Sequence, residues 1–335
     1  MRKAQPVWRE IPPEFKRNLV GYLDYKSRCR LRRVSKDDKK LVDSCPAVLK
    51  SITLDPPHSI MYPIARILLK DVNENPRRPM MRDFKEYNRE QIISDAVLPL
   101  VHKNSLVDSL HFYRLEFSSH QQPDVVTHFF RKLMTHVQTF PEFKIRTKRL
   151  KWDWETTTGM EFFEVFKLCD PSVLRILEWY KVDDICYNDV VESEQWKNLK
   201  YISIIHSHSI PIDHFLHCDR LFLYLNELTP EIVCKLFHTF LARDPPVRSF
   251  FRVYTDEPFD RRTILRMINV PRLRPALRLI VDPGDVYQYE LPNQEHVLML
   301  SFQYMDREAS GLVCRREHLN IDYLETVTQG FQVDL

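Results

Sequence analysis

Glycine is nearly missing from this chain: 5 of 335 residues, about 1.5% where an ordinary globular protein has roughly 7%. Phosphate-cradling loops and the sharp turn behind a nucleophilic serine need glycine, because backbone must approach a ligand closely or take positive φ. No GxGxxG, GxxxxGK[ST] or GxSxG occurs, which excludes most enzymes built on a phosphate loop. Long apolar runs are missing too; none approaches the roughly 18 residues of a membrane span. Residues Met1 to Phe15 mix Arg2, Lys3, Arg9 and Glu10 with three prolines and show no apolar core of a secretory signal. The seven cysteines, at 29, 45, 169, 186, 218, 234 and 314, are scattered without a CxxC pair. That usage fits reduced thiols in the cytoplasm or nucleus, or both.

Charge is distributed unevenly. Residues 1–50 hold 14 Lys/Arg against 6 Asp/Glu, a balance of +8, while the other 285 hold 35 against 40, a balance of −5. The asymmetry points to a basic module joined to a mildly acidic body, with different partners for each. It also leads to the expectation that a chain beginning near residue 51 folds without the module.

Within the basic module, Pro12 and Pro13 precede Phe15, Leu19, Val20 and Leu23, a helical spacing with proline tolerated in the first turn. Asp24 and Ser27 mark a turn, and a second short helix carries Leu31 and Val34. Ser35 followed by Asp38 reads as a capping-box variant opening a third helix with Leu41 and Val42, which Pro46 ends. Three helices in about forty residues make a small core that the following chain or a partner must complete.

These residues resemble the F-box: Ile11-Pro12-Pro13-Glu14, Leu19, Val20, Leu23-Asp24, Ser27-Arg28, Leu31, Arg32-Arg33-Val34-Ser35-Lys36 and Leu41-Val42. The resemblance implies an all-helical module over residues 8–46 that docks onto a Skp1-type adaptor and through it joins a cullin-based ubiquitin ligase. By the same resemblance the adaptor-binding residues are Ile11, Pro12, Pro13, Phe15, Leu19, Leu23, Leu31, Val34 and Ser35. The sequence departs from the family pattern at Asp38, where a tryptophan is usual; restoring one there is expected either to tighten adaptor binding or to destabilise the third helix by removing its cap. The cluster Arg28, Arg30, Arg32, Arg33, Lys36, Lys39 and Lys40 also matches a nucleic-acid patch. Asp37, Asp38 and Asp43 interrupt or flank it, so a solvated or adaptor-facing surface is the preferred reading and nucleic-acid binding the weakest.

From residue 108 onward, β-rich runs centred near 112, 151, 176, 201, 222 and 251 are separated by 39, 25, 25, 21 and 29 residues. Most intervals fall near those of a leucine-rich unit, so the fold class expected is α+β or α/β: the helical module followed by irregular, leucine-rich-like strand–helix repeats. Helices are expected at 124–137, after a Thr158/Glu161 capping box, and from Thr229-Pro230 to the Pro245-Pro246 stop. Glu194-Gln195-Trp196-Lys197 before Leu199, His214-Phe215 before Leu221, and the Thr229 helix together resemble the FTH domain. That domain follows the F-box in a nematode-expanded family of F-box proteins. The resemblance covers 108–255 and implies a protein-binding surface without catalysis. Residues 51–105 read as a connecting region with strands at Ile52–Leu54 and Ile60–Leu69, an Asn75–Pro79 loop and a helix over Tyr87–Val97. Residues 256–335 read as a β-rich extension with strands at 277–281, 286–291 and 297–302 and a Pro283-Gly284 turn.

The chemistry-bearing residues form no motif. His206, His208, His214, His217 and Cys218 are close in sequence, but a structural zinc site wants paired thiolates at short spacing. Carboxylates are plentiful without a pairing that would serve acid–base work. The expectation is a non-catalytic substrate-recognition subunit of an SCF-type ubiquitin ligase. It has no cofactor, no metal, no small-molecule substrate and no membrane partner, and its body binds a protein target. The alternative is a cullin-independent interaction adaptor with a degenerate F-box.

Overall fold

The computed structural model describes residues 8–55, 66–71, 80–83, 89–113, 130–135, 142–153, 160–180, 184–207, 210–268, 286–303 and 306–318. The chain divides into two compact units: residues 1–178 with 188–198, and residues 179–187 with 199–335. The class is mixed α/β.

The first unit opens with helices α1 (Pro13–Tyr22), α2 (Tyr25–Leu31) and α3 (Lys36–Asp43). Pro13 stands at the first helical position, where no amide bond is lost. Asp24 caps α2 by accepting from the Ser27 amide at 2.6 Å, and Ser35 caps α3 by accepting from the Asp38 amide at 3.0 Å. Val34 is not part of α2, which ends at Leu31.

The strands of this unit are β1 (Val48–Asp55), β2 (Arg66–Asp71), β3 (Met80–Asp83), β4 (Leu106–Tyr113), β5 (Thr147–Asp153) and β6 (Ile176–Trp179). Their order is β6-β5-β4-β1-β2-β3. β1, β4 and β5 run parallel, while β2 and β3 return antiparallel at the edge. Helix α4 (Arg89–Val101) spans the crossover from β1 to β4, and α5 (Met160–Leu168) the one from β5 to β6. Both steps go the same way across the sheet, so right-handed connections put both helices on one face. Phe112 and Trp152 point to that face, 4.5 Å apart between ring centroids, and Phe162 of α5 meets Trp152 edge-on at 5.5 Å. The later part of α6 (Asp184–Glu192) and α7 (Glu194–Lys197) complete the unit. On α7, buried Gln195 donates to the carbonyls of Lys167 and Cys169, both at 2.9 Å.

The second unit holds β7 (Tyr201–Ser207), β8 (Arg220–Leu225), α8 (Pro230–Arg243), β9 (Phe250–Thr255), α9 (Arg261–Ile268), β10 (Val286–Glu290), β11 (His296–Gln303) and β12 (Glu308–Arg315). Strand order is β7-β8-β9-β12-β11-β10, parallel over the first three and antiparallel beyond. Strict alternation buries Leu221, Leu223 and Leu225 on β8. Thr229 stands at the N-cap of α8, although its hydroxyl makes no capping bond, and Asp244 ends the helix in the left-handed region. From α8, Phe240 packs edge-on against Phe251 at 5.2 Å and Phe237 against Tyr289 at 4.3 Å.

The six expected strand centres all fall on strands, β4 to β9. The connections between them are unequal. A 3₁₀ turn, Ile212–Phe215, precedes β8, whereas a 14-residue helix precedes β9. Two strands, β3 and β12, have no counterpart in the sequence reading. The expected strand at 277–281, the Asn75–Pro79 loop, the Pro283-Gly284 turn and Thr158 lie outside the described residues. Of the expected 124–137 helix, the described part, 130–135, is helical.

A chain starting near residue 51 would lose Val48 to Lys50 of β1, a strand that lies between β2 and β4 inside the sheet. Such a truncation also removes Arg32 and Arg33 from the wholly buried Asp95. Residues 51–335 are therefore expected to show no cooperative unfolding of the first unit in a thermal melt, where the full chain does. A second expectation follows from Gly311 on β12, which pairs with Phe251. A Cβ placed there would meet the Phe251 ring at 2.2 Å. Gly311→Ala should cost about 1–3 kcal/mol by overpacking, read as a lower denaturant midpoint.

Candidate functional site

Among the described residues, the outer surface of the three-helix module carries four of the seven large exposed apolar side chains. Val20 faces inward with no exposed surface, whereas Phe15, Leu19 and Tyr22 are 64%, 45% and 89% exposed. The spacing i, i+4, i+7 puts these three on one stripe of α1. Val34, in the turn between α2 and α3, is also exposed. Across from the stripe, Ser44, Cys45 and Pro46 form the second wall of a shallow recess of about 830 Å³. Of the residues that the sequence pattern singles out, Pro12, Pro13, Phe15, Leu19, Val34 and Ser35 are exposed, and Ile11, Leu23 and Leu31 are half-buried. Tyr22 was not among them, because an aromatic at the end of a short helix reads equally well as core.

Arg28 holds the module's shape. Its buried guanidinium donates to the carbonyls of Gly21 at 3.0 Å, Leu23 at 3.1 Å and Pro46 at 2.6 Å. It thereby ties the end of α1 to the segment after α3, both sides of the recess. A cation at a helix C-terminus also complements the helix dipole. Arg32 forms a bidentate pair with Asp43, and Arg32 and Arg33 both reach Asp95 of α4, at 3.5 and 2.7 Å. Tyr25 donates its hydroxyl to the Asp95 carbonyl at 2.5 Å and its amide to the Asp71 carboxylate at 2.9 Å. Burial pushes the Tyr25 phenol well up. Of the seven basic residues in the cluster, Arg28 and Arg32 thus act as buried struts, and Arg33 pairs with Asp95 while staying part-exposed.

Asp38 is 7% exposed. The Trp8 indole donates to it at 2.7 Å and the Ser35 hydroxyl at 2.7 Å. Burial alone would raise this carboxyl, but the bonds from Ser35 and Trp8 outweigh it and hold the group below its usual range. Position 38 faces Trp8 inside the module rather than the outer surface. Lys16 lies over the same indole, 5.4 Å from its centroid. The pair therefore fixes the segment leading into Ile11 and Pro12 against α3.

The thiols pack. Burial pushes Cys169 up to about 12 and Cys314 up to about 11, far from the reactive thiolate range. His214 meets Tyr187 edge-on at 5.7 Å, and His217 Nε2 lies 3.4 Å from Cys218 Sγ. His208 and the His206 side chain lie outside the described residues. Among the described residues no three His, Cys, Asp or Glu side chains come together as metal ligands, and no helix is long and apolar enough to cross a membrane.

A family model for the F-box domain matches residues 8–49, covering α1 to α3 and the start of β1. A second, for the FTH domain, matches residues 127–260. The chain carries an F-box followed by an FTH domain. No curated protein matches it. F-box domains are protein-interaction modules that typically bind Skp1-type adaptors, and the exposed stripe of α1 belongs to this F-box.

The Asp38 contacts predict a pH dependence. A carboxyl depressed in the folded state stabilises the fold above its unfolded pKa, and that contribution disappears as pH falls through the folded value. Asp38→Asn should therefore cost about 1–2 kcal/mol at pH 7. The gap from the natural chain should shrink below about pH 4, as denaturant titrations at several pH values would record.

Proposed function

We propose that this F-box/FTH chain is the substrate-recognition subunit of an SCF-type ubiquitin ligase. In this reading the F-box engages a Skp1-type adaptor, the adaptor links the chain to a cullin, and the FTH-containing body holds a protein target for ubiquitin transfer by other subunits. The chain itself supplies position rather than catalysis. Bringing a target near an activated ubiquitin raises its effective concentration, which is what a tethering subunit contributes.

The observation that carries the reading is the outward stripe of Phe15, Leu19 and Tyr22, with Val34 close in sequence, within the segment matched as an F-box. Large apolar side chains left in water on a stable helix are a standing cost that a partner's apolar surface removes. The departure at Asp38 weakens the alternative of a cullin-independent adaptor, since that carboxylate is bonded to Trp8 and Ser35 inside the module.

Burying Phe15 and Leu19 against an adaptor is worth about 1.5–3 kcal/mol each. Phe15→Ala/Leu19→Ala should then weaken capture of a purified Skp1-type protein by roughly two to four orders of magnitude. Both side chains are exposed, so the melting temperature should stay near that of the natural chain. Undiminished capture by the double variant would defeat the proposal.

A further inference from the structure

The face of the first unit's sheet opposite α4 and α5 has a distinct chemistry. In register across it stand Lys70 on β2, Ser51 on β1, Ser109 on β4 and Arg149 on β5. The next parallel row carries Thr53, His111 and Lys151. Three cations thus share this patch with two carboxylates: Glu178, which lies 3.7 Å from Arg149 and 3.4 Å from Lys151, and Asp153, two residues beyond Lys151 on the same face of β5. Lys70 is exposed and has no ion-pair partner among the described residues. The patch's other charged groups are part-exposed, Lys151 keeping 31% of its side-chain surface, Arg149 19% and Glu178 18%, while Ser51 and Thr53 between them and Lys70 are buried. His111, bonded to the Ser109 hydroxyl, adds a polar group without a charge; burial first, then Lys151, Arg149 and Lys70, lowers it to about 4.

We infer that this face, with Lys70, Arg149 and Lys151 at its centre, docks an acidic, extended segment of a protein target. The inference rests on the proposed target-holding role and names the target's chemistry. Charge complementarity is the argument: the body beyond residue 50 carries a net −5, so a local excess of positive charge on this face favours a negative segment. From β2 to β5 the patch crosses three inter-strand spacings, roughly 14 Å. An extended peptide puts side chains of one face roughly 7 Å apart, so acidic residues at alternate positions span the three cations. Nucleic acid fits less well, because Glu178 sits between two of the cations and Tyr113, with Lys151 5.3 Å from its centroid, is already covered.

The test is fluorescence anisotropy of a labelled eight-residue peptide of alternating serine and glutamate, titrated with the full chain at low salt. Arg149→Gln/Lys151→Gln should weaken binding about tenfold, and Lys70→Gln about threefold. Glu178→Gln should tighten it, since removing the carboxylate raises the local positive charge. Lys235→Gln, on α8 and paired with Asp213, should change nothing. If the double variant fails to melt cooperatively, the opposite signs of Lys70→Gln and Glu178→Gln decide. Binding that ignores these substitutions, or an oligouridine of equal length displacing the peptide, overturns the inference. Adaptor capture is measured on the same proteins. Peptide binding lost with adaptor capture intact refutes this site alone, and the converse refutes the ligase reading while leaving the site standing.

Discussion

Asp95 on α4 has no exposed surface, yet it carries a carboxylate that Arg32 and Arg33 reach from the F-box. Taking a carboxylate out of water costs several kcal/mol unless cations and hydrogen bonds compensate it, and removing one partner leaves that cost exposed. The rest of the first unit is arranged around this compensation. Arg32 is itself held by Asp43, and Tyr25 closes the backbone at Asp95 with its hydroxyl. A module of three short helices, too small for a large core of its own, gains its order from α4 and the sheet edge at Asp71. The F-box and the strands that follow consequently pack as one compact unit.

Scarcity of glycine leaves its mark on the backbone. Asp244, Arg248, Gln294 and Asp306 all take positive φ, a region that costs an ordinary residue about 1 kcal/mol and glycine little. Each of the four sits in a turn or helix end. The glycine retained at 311 serves a different need, the close approach of the Phe251 ring to the β12 backbone. Where a ring requires the space, the chain keeps glycine; where only backbone freedom is at issue, it accepts the strain.

Division of the charged residues follows the same economy of position. Arg28 and Arg32 are turned inward to carbonyls and carboxylates, Arg33 reaches Asp95 from a part-exposed position, and Arg252 grips the buried Glu308 through two bonds of 2.7 and 3.1 Å. The F-box keeps outward an apolar stripe together with exposed Arg30, Lys36, Lys39 and Lys40, and the sheet of the first unit a small positive field. Two surfaces of unlike chemistry suit two unlike partners.

Local physics made much of this chain legible from its residues. Caps at Asp24 and Ser35, proline at 13 and 230, and alternation on β4 to β9 depend on neighbours a few positions apart, so helices, strands and the F-box pattern could be read directly. The exposed Phe15 and Leu19 were legible for the same reason, since helical spacing separates them from Val20. Partners distant in sequence were not legible. Asp95 lies 62 positions from Arg33, and Trp8 lies 30 from Asp38; no periodicity or cap links such pairs. A basic run therefore looked like one surface until packing drew Arg28 and Arg32 inward and tied Arg33 to Asp95. Residues 70, 149 and 151 acquired a common face only through strand order, because neighbouring strands bring together residues that the sequence keeps far apart.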